Sequence, residues 1–225
     1  MLIDHVGVIF FPQNVTFRLI GRLAMPIFAF MVAEGCRYTH SKLRYLLILA
    51  GYLVLCQAGL YIGTGGTNLC ILAAFALGAA AVFCLQEFKQ ALFSSDMPHK
   101  LLWGGLFLLA VALIRLFCSF VYVVYGFWGC MLPVFASIFH MPPSAPGWLK
   151  QLDCKWMHIL TFTIGLFPLS WTHSKIQIYC LFSVPLLLCY NGRRGKYKLK
   201  YFFYIFYPAH LLILYGIYQI IGVIR

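Results

Sequence analysis

Carboxylates are scarce in this sequence. Five Asp and Glu stand against 17 Lys and Arg in 225 residues, a formal net charge of +12. Charge of either sign makes up only 10% of the chain, too little to coat an ordinary solvated surface. No Cys-x-x-Cys pair or Cys/His cluster is present, and the nine cysteines are scattered, mostly within apolar runs. That excludes a disulfide framework or a zinc site and leaves the thiols as small hydrophobes. The first apolar stretch has an acidic start and no A-x-A site, so a cleavable signal peptide is not expected. "GTGG" at 63–66 lacks the Lys-Ser/Thr of a phosphate-binding loop and reads as an outward turn. No repeat of fixed period is evident.

What the chain has instead is apolar mass: 63% hydrophobic residues, 18% aromatic, and a mean hydropathy of +0.88. A soluble domain cannot hide that much apolar surface. The expected class is all-α, a polytopic transmembrane helix bundle of about 8–9 spans forming a single integral-membrane domain over 1–225. Candidate spans are 1–12 (partial), 19–37, 45–63, 68–88, 101–120, 122–141, 156–172, 176–190 and 201–224. A barrel would need short alternating strands, which these long runs are not. Residues 1–11 are too short to cross a bilayer, which takes about 20 helical residues, so an upstream apolar extension is expected to complete the first span.

The basic residues lie between the apolar runs and form no amphipathic soluble face, which argues against a nucleic-acid partner. They mark orientation instead. One set of alternate loops holds twelve of them: Arg37, Lys42, Arg44, Lys89, Lys100, Lys150, Lys155, Arg193, Arg194, Lys196, Lys198 and Lys200. The other set holds three, Arg18, Lys175 and Arg225. The richer set is expected in the cytoplasm, with "FPQNVTFR" facing outward and "NGRRGKYKLK" inward. The Pro/Gly-rich 142–155 stretch, "PPSAPGWLKQLDCK", reads as a flexible inward loop.

Ionisable groups inside spans cost kilocalories unless paired or wet, so each is a candidate site residue. Asp4 and His5 are adjacent, so on a helix their side chains diverge by about 100° and do not face one another. His5 is a candidate general base, because imidazole is neutral at modest cost and exchanges a proton near neutral pH; the alternative is a core histidine bonded to a carbonyl. Arg18 and Arg22 stack on one helical face, and guanidinium needs carboxylate, phosphate or water, with Asp4 the most obvious internal partner of Arg22. Arg18 also reads as an interfacial snorkelling residue. Glu34 is three residues from Arg37 and reads either as a helix-end ion pair or as a ligand-binding group. Arg115 is ambiguous in the same way. Tyr207 and His210 share a helical face beside Pro208, which suits a polar cavity or an aromatic belt. Asn68 is a candidate amide donor to a ligand or a helix cap.

"MLIDHVGVIFFP", "FRLIGRLAMPIFAFMVAEGCRYT", "YGFWGCMLP" and "YNGRRGKYKLKYFFYIFYPAHLLILY", in that order, resemble the TraX family of bacterial membrane proteins. More distantly the chain is similar to the acyltransferase-3 group of membrane acyltransferases. The resemblance implies acetylation of a pilin amino terminus in the bacterial cytoplasmic membrane, with acetyl-coenzyme A as donor and no metal. By the same resemblance His5, Arg18 and Arg22 serve acyl transfer. Family members usually carry more residues ahead of the Asp-His pair. The expected site is His5, Asp4 and Arg22 as catalytic groups, with Arg18, Glu34, Asn68, Tyr207 and His210 binding substrate or donor. Inward cations are expected to receive the donor's phosphates. Competing readings are O-acylation of a cell-surface glycan, a non-enzymatic pilus assembly factor and, last, a small-molecule transporter.

Overall fold

A computed structural model of the chain describes residues 1–94, 96–172, 175–192 and 200–224. In lipid each backbone N–H and C=O must find an internal partner, and these apolar runs answer with helices. The first two, α1 (Leu2–Phe10) and α2 (Val15–Gly21), form a hairpin. Asn14 caps α2, its side-chain oxygen accepting from the Thr16 N–H at 3.0 Å. After a short turn α3 (Ala24–Tyr38) follows, then α4 (Lys42–Thr64), which ends on Gly65 with φ +65°, a left-handed stop that glycine takes without strain. The remaining helices are α5 (Ile71–Leu92), α6 (Met97–Phe120), α7 (Gly126–Ala136), α8 (Gly147–Lys150), α9 (Lys155–Thr172), a 3₁₀ helix at Lys175–Phe182, α10 (Ser183–Cys189) and α11 (Lys200–Ile224). The loop expected to be structureless at 142–155 contains α8.

Four segments among the described residues are long and apolar enough to cross a membrane: Val15–Tyr38, Lys42–Ile62, Ile71–Leu92 and Met97–Phe120. The chain is therefore an all-helical membrane protein with four such segments among its described residues, and several of the other expected runs form shorter helices. The run at 122–141 yields only the 11 residues of α7, and 176–190 breaks into the 3₁₀ helix and α10, split at Ser183. Such pieces fit short or broken helices packed against protein. The basic residues Arg193, Arg194, Lys196 and Lys198 lie outside the described residues.

The central helix is α5. Of its most apolar window 56% is buried, against 11% for α4 and 6% for α6, whose Leu, Ile and Val side chains project outward. Ala73, Ala74, Gly78, Ala79 and Ala81 give α5 a face without bulk, and small residues let helix backbones approach in a membrane. A Cβ built on Gly78 would sit 2.5 Å from the Cys130 carbonyl oxygen of α7. Lys42 at the start of α4 and Glu87 near the end of α5 form an ion pair that closes one end of this hairpin. At the other end Gln57 of α4 accepts from the Cys70 N–H and donates to the Asn68 carbonyl, each at 3.1 Å. Gln57 thus ties down the start of α5, and the expected capping by Asn68 does not occur.

Two loops meet at that same end. The Leu69 N–H donates to the Tyr122 carbonyl at 3.0 Å and the Val124 N–H to the Leu69 carbonyl at 3.1 Å, an isolated bridge between the α4–α5 and α6–α7 connections. Gly78→Ala must push α5 off α7 and should cost about 1–3 kcal/mol by overpacking. Thermal unfolding in detergent should show a lowered Tm, whereas Gly105→Ala on α6, whose Cβ would meet nothing within 4 Å, should leave it unchanged.

Candidate functional site

At the Gly65 end of the bundle lies a cavity of about 330 Å³ whose lining includes Asp4, His5, Gly21, Arg22, Asn68, Tyr125 and Tyr207. Its walls come from α1, the α2–α3 turn, the α4–α5 loop, the start of α7 and α11. The hairpin of α1 and α2 brings Asp4 onto α2 at Gly21, where a Cβ would overlap the Asp4 side chain at 2.3 Å. Only a residue without a side chain allows that approach.

His5 faces α11. Its Nδ1 lies 3.0 Å from Nε2 of His210, and Nδ1 of His210 lies 2.7 Å from the Phe206 carbonyl oxygen. These contacts determine the tautomers. A carbonyl oxygen only accepts, so Nδ1 of His210 carries the proton. With both rings neutral, Nε2 of His210 is then the acceptor and Nδ1 of His5 the donor. Nε2 of His5 is left unprotonated, a basic lone pair on a residue that lines the cavity. His210 is 4% exposed, so bulk water does not compete for this chain of bonds.

Arg22 donates to the Tyr125 hydroxyl at 3.1 Å, with its guanidinium carbon 5.9 Å from the centre of that ring. It makes no ion pair with Asp4, whose Oδ1 is buried without a hydrogen-bond partner among the described residues. The expected Asp4–Arg22 pair is therefore not formed; the two line one cavity without touching. Tyr125 has φ +69° and ψ +3°, a left-handed conformation that is an outlier for a bulky side chain. Sequence reading missed this residue, and its only visible signal is the Tyr125-Gly126 step ahead of an apolar run. Arg18 is absent from the cavity wall, its Nε buried without a hydrogen-bond partner among the described residues. Asn68 is exposed on the rim, and Tyr207 meets His210 edge-on with ring centres 5.5 Å apart.

Glu34 belongs elsewhere. It lies twelve residues beyond Arg22, roughly 18 Å of helix rise away, in a second polar cluster at the opposite end of α3. There Arg37 passes over Glu34 and pairs with Asp153 at 3.0 Å. Asp153 also accepts from the Met141 N–H at 3.1 Å and contacts Nε2 of His158 at 2.9 Å. Glu34 approaches Nε2 of His140 at 3.5 Å, and the His140 and His158 rings sit 4.3 Å apart. Burial pulls the His140 imidazole below its ordinary range, partly offset by Glu34. Lys89 donates to the carbonyls of Ser137, Ile138 and His140 at 2.6, 2.7 and 3.2 Å. Lys150 donates to the Pro143 carbonyl at 2.6 Å, and Lys155 to that of Leu188. Of these cations Lys89 is buried, whereas Lys150 is exposed and Lys155 half-exposed.

Arg115 stacks over Phe127 at 5.5 Å, and all nine cysteines are free. Among the described residues no group of three or more His, Cys, Asp and Glu is arranged to hold a metal ion. A family model described as "TraX protein" matches residues 1–218. No curated protein and no solved structure matches the chain.

Because Asp153 holds Arg37, His158 and the 141 amide together, Asp153→Ala should leave buried His158 and the 141 amide without that acceptor, while exposed Arg37 turns to solvent. A loss of about 1–3 kcal/mol is expected from unsatisfied buried partners, read as a drop in Tm. Asp96→Ala, an exposed residue at the start of α6 whose side chain makes no capping bond, should shift Tm little.

Proposed function

We propose, on the premise that the chain belongs to the TraX family over residues 1–218, that it is a membrane-embedded acyltransferase using His5 as general base. The observation that carries this reading is the bond sequence Phe206 carbonyl, His210, His5, which leaves Nε2 of His5 unprotonated on a residue that lines a cavity with Arg22 and Tyr125. A base oriented by a third group is the arrangement that nucleophile activation requires. The family points to acetyl-coenzyme A as donor, a pilin amino terminus as acceptor and the bacterial cytoplasmic membrane as the location.

In the reaction the acceptor amine attacks the thioester carbonyl carbon. As the new C–N bond forms, Nε2 of His5 takes a proton from the nitrogen, and His210 and the Phe206 carbonyl stabilise the resulting imidazolium through the same chain of bonds. The carbonyl oxygen gains negative charge, which the Arg22 guanidinium, held by the Tyr125 hydroxyl, offsets. The C–S bond then breaks and the departing thiolate recovers the proton from His5, regenerating the neutral base. Asp4 contributes a nearby negative charge that favours the charged imidazolium without contacting it.

His5→Ala should lower acetyl transfer by about 10²–10⁴-fold, the usual contribution of a positioned acid–base group, with membrane insertion intact. Retained turnover in purified His5→Ala protein would remove His5 from the mechanism. His210→Phe keeps ring packing but withdraws the acceptor of the His5 Nδ1 proton. It should reduce kcat while leaving KM close to wild type, measured with labelled acetyl-coenzyme A.

A further inference from the structure

His5 forms part of the wall of two cavities. Besides the polar one it borders a larger groove, about 670 Å³, between α1, α4 and α11. Leu60 and Leu211 are shared by both linings as well, so the two spaces adjoin along a wall rather than lying at separate places in the fold. Their chemistry differs sharply. The polar cavity presents Asp4, Arg22, Asn68 and the two tyrosines, whereas the groove is lined by Ile9, Leu55, Ile62, Ile205, Leu212 and neighbours, with only His5 and Tyr215 adding polar atoms from side chains.

The geometry points to this groove as a binding site for the hydrocarbon chain of the acyl group, so that donors longer than acetyl are accepted. The assignment rests on the acyl-transfer reading and names its donor class. His5 lines both spaces, so a thioester carbonyl beside its ring can have its acceptor in the polar cavity and its chain in the adjoining apolar groove. Ala58 and Gly59 on α4 and Ala209 on α11 leave room along the groove for a hydrocarbon chain. Leu55 to Ile62 covers about 10 Å of α4, the reach of a medium-chain acyl group. Bilayer lipid alone would also wet such a surface, but it gives no reason for the groove to end on the oriented base.

Gly59 offers a direct test, since a Cβ there meets nothing within 4 Å and a larger side chain is accommodated by the fold. Non-hydrolysable thioether analogues of acetyl-, butyryl- and octanoyl-coenzyme A are titrated against the full chain in nanodiscs, wild type alongside Gly59→Leu and Ala209→Phe. Comparison with the variants cancels partition into the bilayer. Wild-type affinity should rise up to about fourfold per added methylene, with both variants losing that gain and keeping acetyl-coenzyme A binding. Chain-length-independent binding, or a gain that survives both substitutions, would overturn the groove assignment while leaving acyl transfer standing. Failure of every analogue to bind, acetyl included, would overturn both.

Discussion

Too few carboxylates for its cations is the constraint under which this fold is built. Glu87 is committed to Lys42, Asp153 to Arg37 and His158, and Glu34 to His140. The other cations must be solvated by something else, and the protein supplies dipoles. Lys89, Lys150 and Lys155 reach backbone carbonyls, and Arg115 lies over a phenyl ring. Arg22 fits the same pattern, with a phenol in place of an acid. The difference matters chemically, since a tyrosine hydroxyl orients a guanidinium without cancelling its charge. The cavity therefore holds a cation oriented by a phenol, with Asp4 on the same wall not paired to it, beside a neutral imidazole.

Most of the helix boundaries were legible because hydropathy and punctuation agree there. The run at 45–63 ends at Gly65, and the run at 101–120 ends where α6 does. The divergence of Asp4 from His5 and the shared face of Tyr207 and His210 followed from helical spacing alone. What could not be read was pairing across distance. His5 and His210 are 205 residues apart, and no local pattern announces that α1 and α11 meet. Glu34 was misplaced for the same reason: Arg37 is its neighbour in sequence, but Asp153 arrives from the α8–α9 connection and takes that cation. The Pro/Gly composition of 142–155 concealed a short helix and the carboxylate on which the second cluster turns. Helix length was less legible, since apolar composition does not report it: the run at 122–141 holds a buried helix of 11 residues, and that at 176–190 holds α10, of seven residues and mostly exposed.

The two polar clusters occupy opposite ends of one scaffold and are built on different principles. Around Asp153 one carboxylate ties Arg37, His158 and the Met141 amide together and locks the start of α9 against α3 and the α7–α8 connection. Beside it Ser137 Oγ, both ring nitrogens of His140 and Nδ1 of His158 are buried without a hydrogen-bond partner among the described residues. Around His5 the groups share a space and mostly do not touch, and the buried Oδ1 of Asp4 has no partner among the described residues. The Asp153 contacts serve rigidity, and both ends keep buried polar atoms with unused bonding capacity. Between them α5, with its alanine-rich face, sets the spacing against which both are held.

Tyr125 joins two requirements that rarely coincide. Its backbone occupies the region that costs a bulky residue roughly 1–2 kcal/mol, and its hydroxyl must reach Arg22 from the N-terminal edge of α7. Glycine would relax the first demand and forfeit the second, asparagine tolerates the backbone but is too short, and phenylalanine keeps the strain with nothing in return. Few codon changes lead anywhere tolerable from such a position, and Gly126 beside it, at φ +55°, is held to glycine by the same turn.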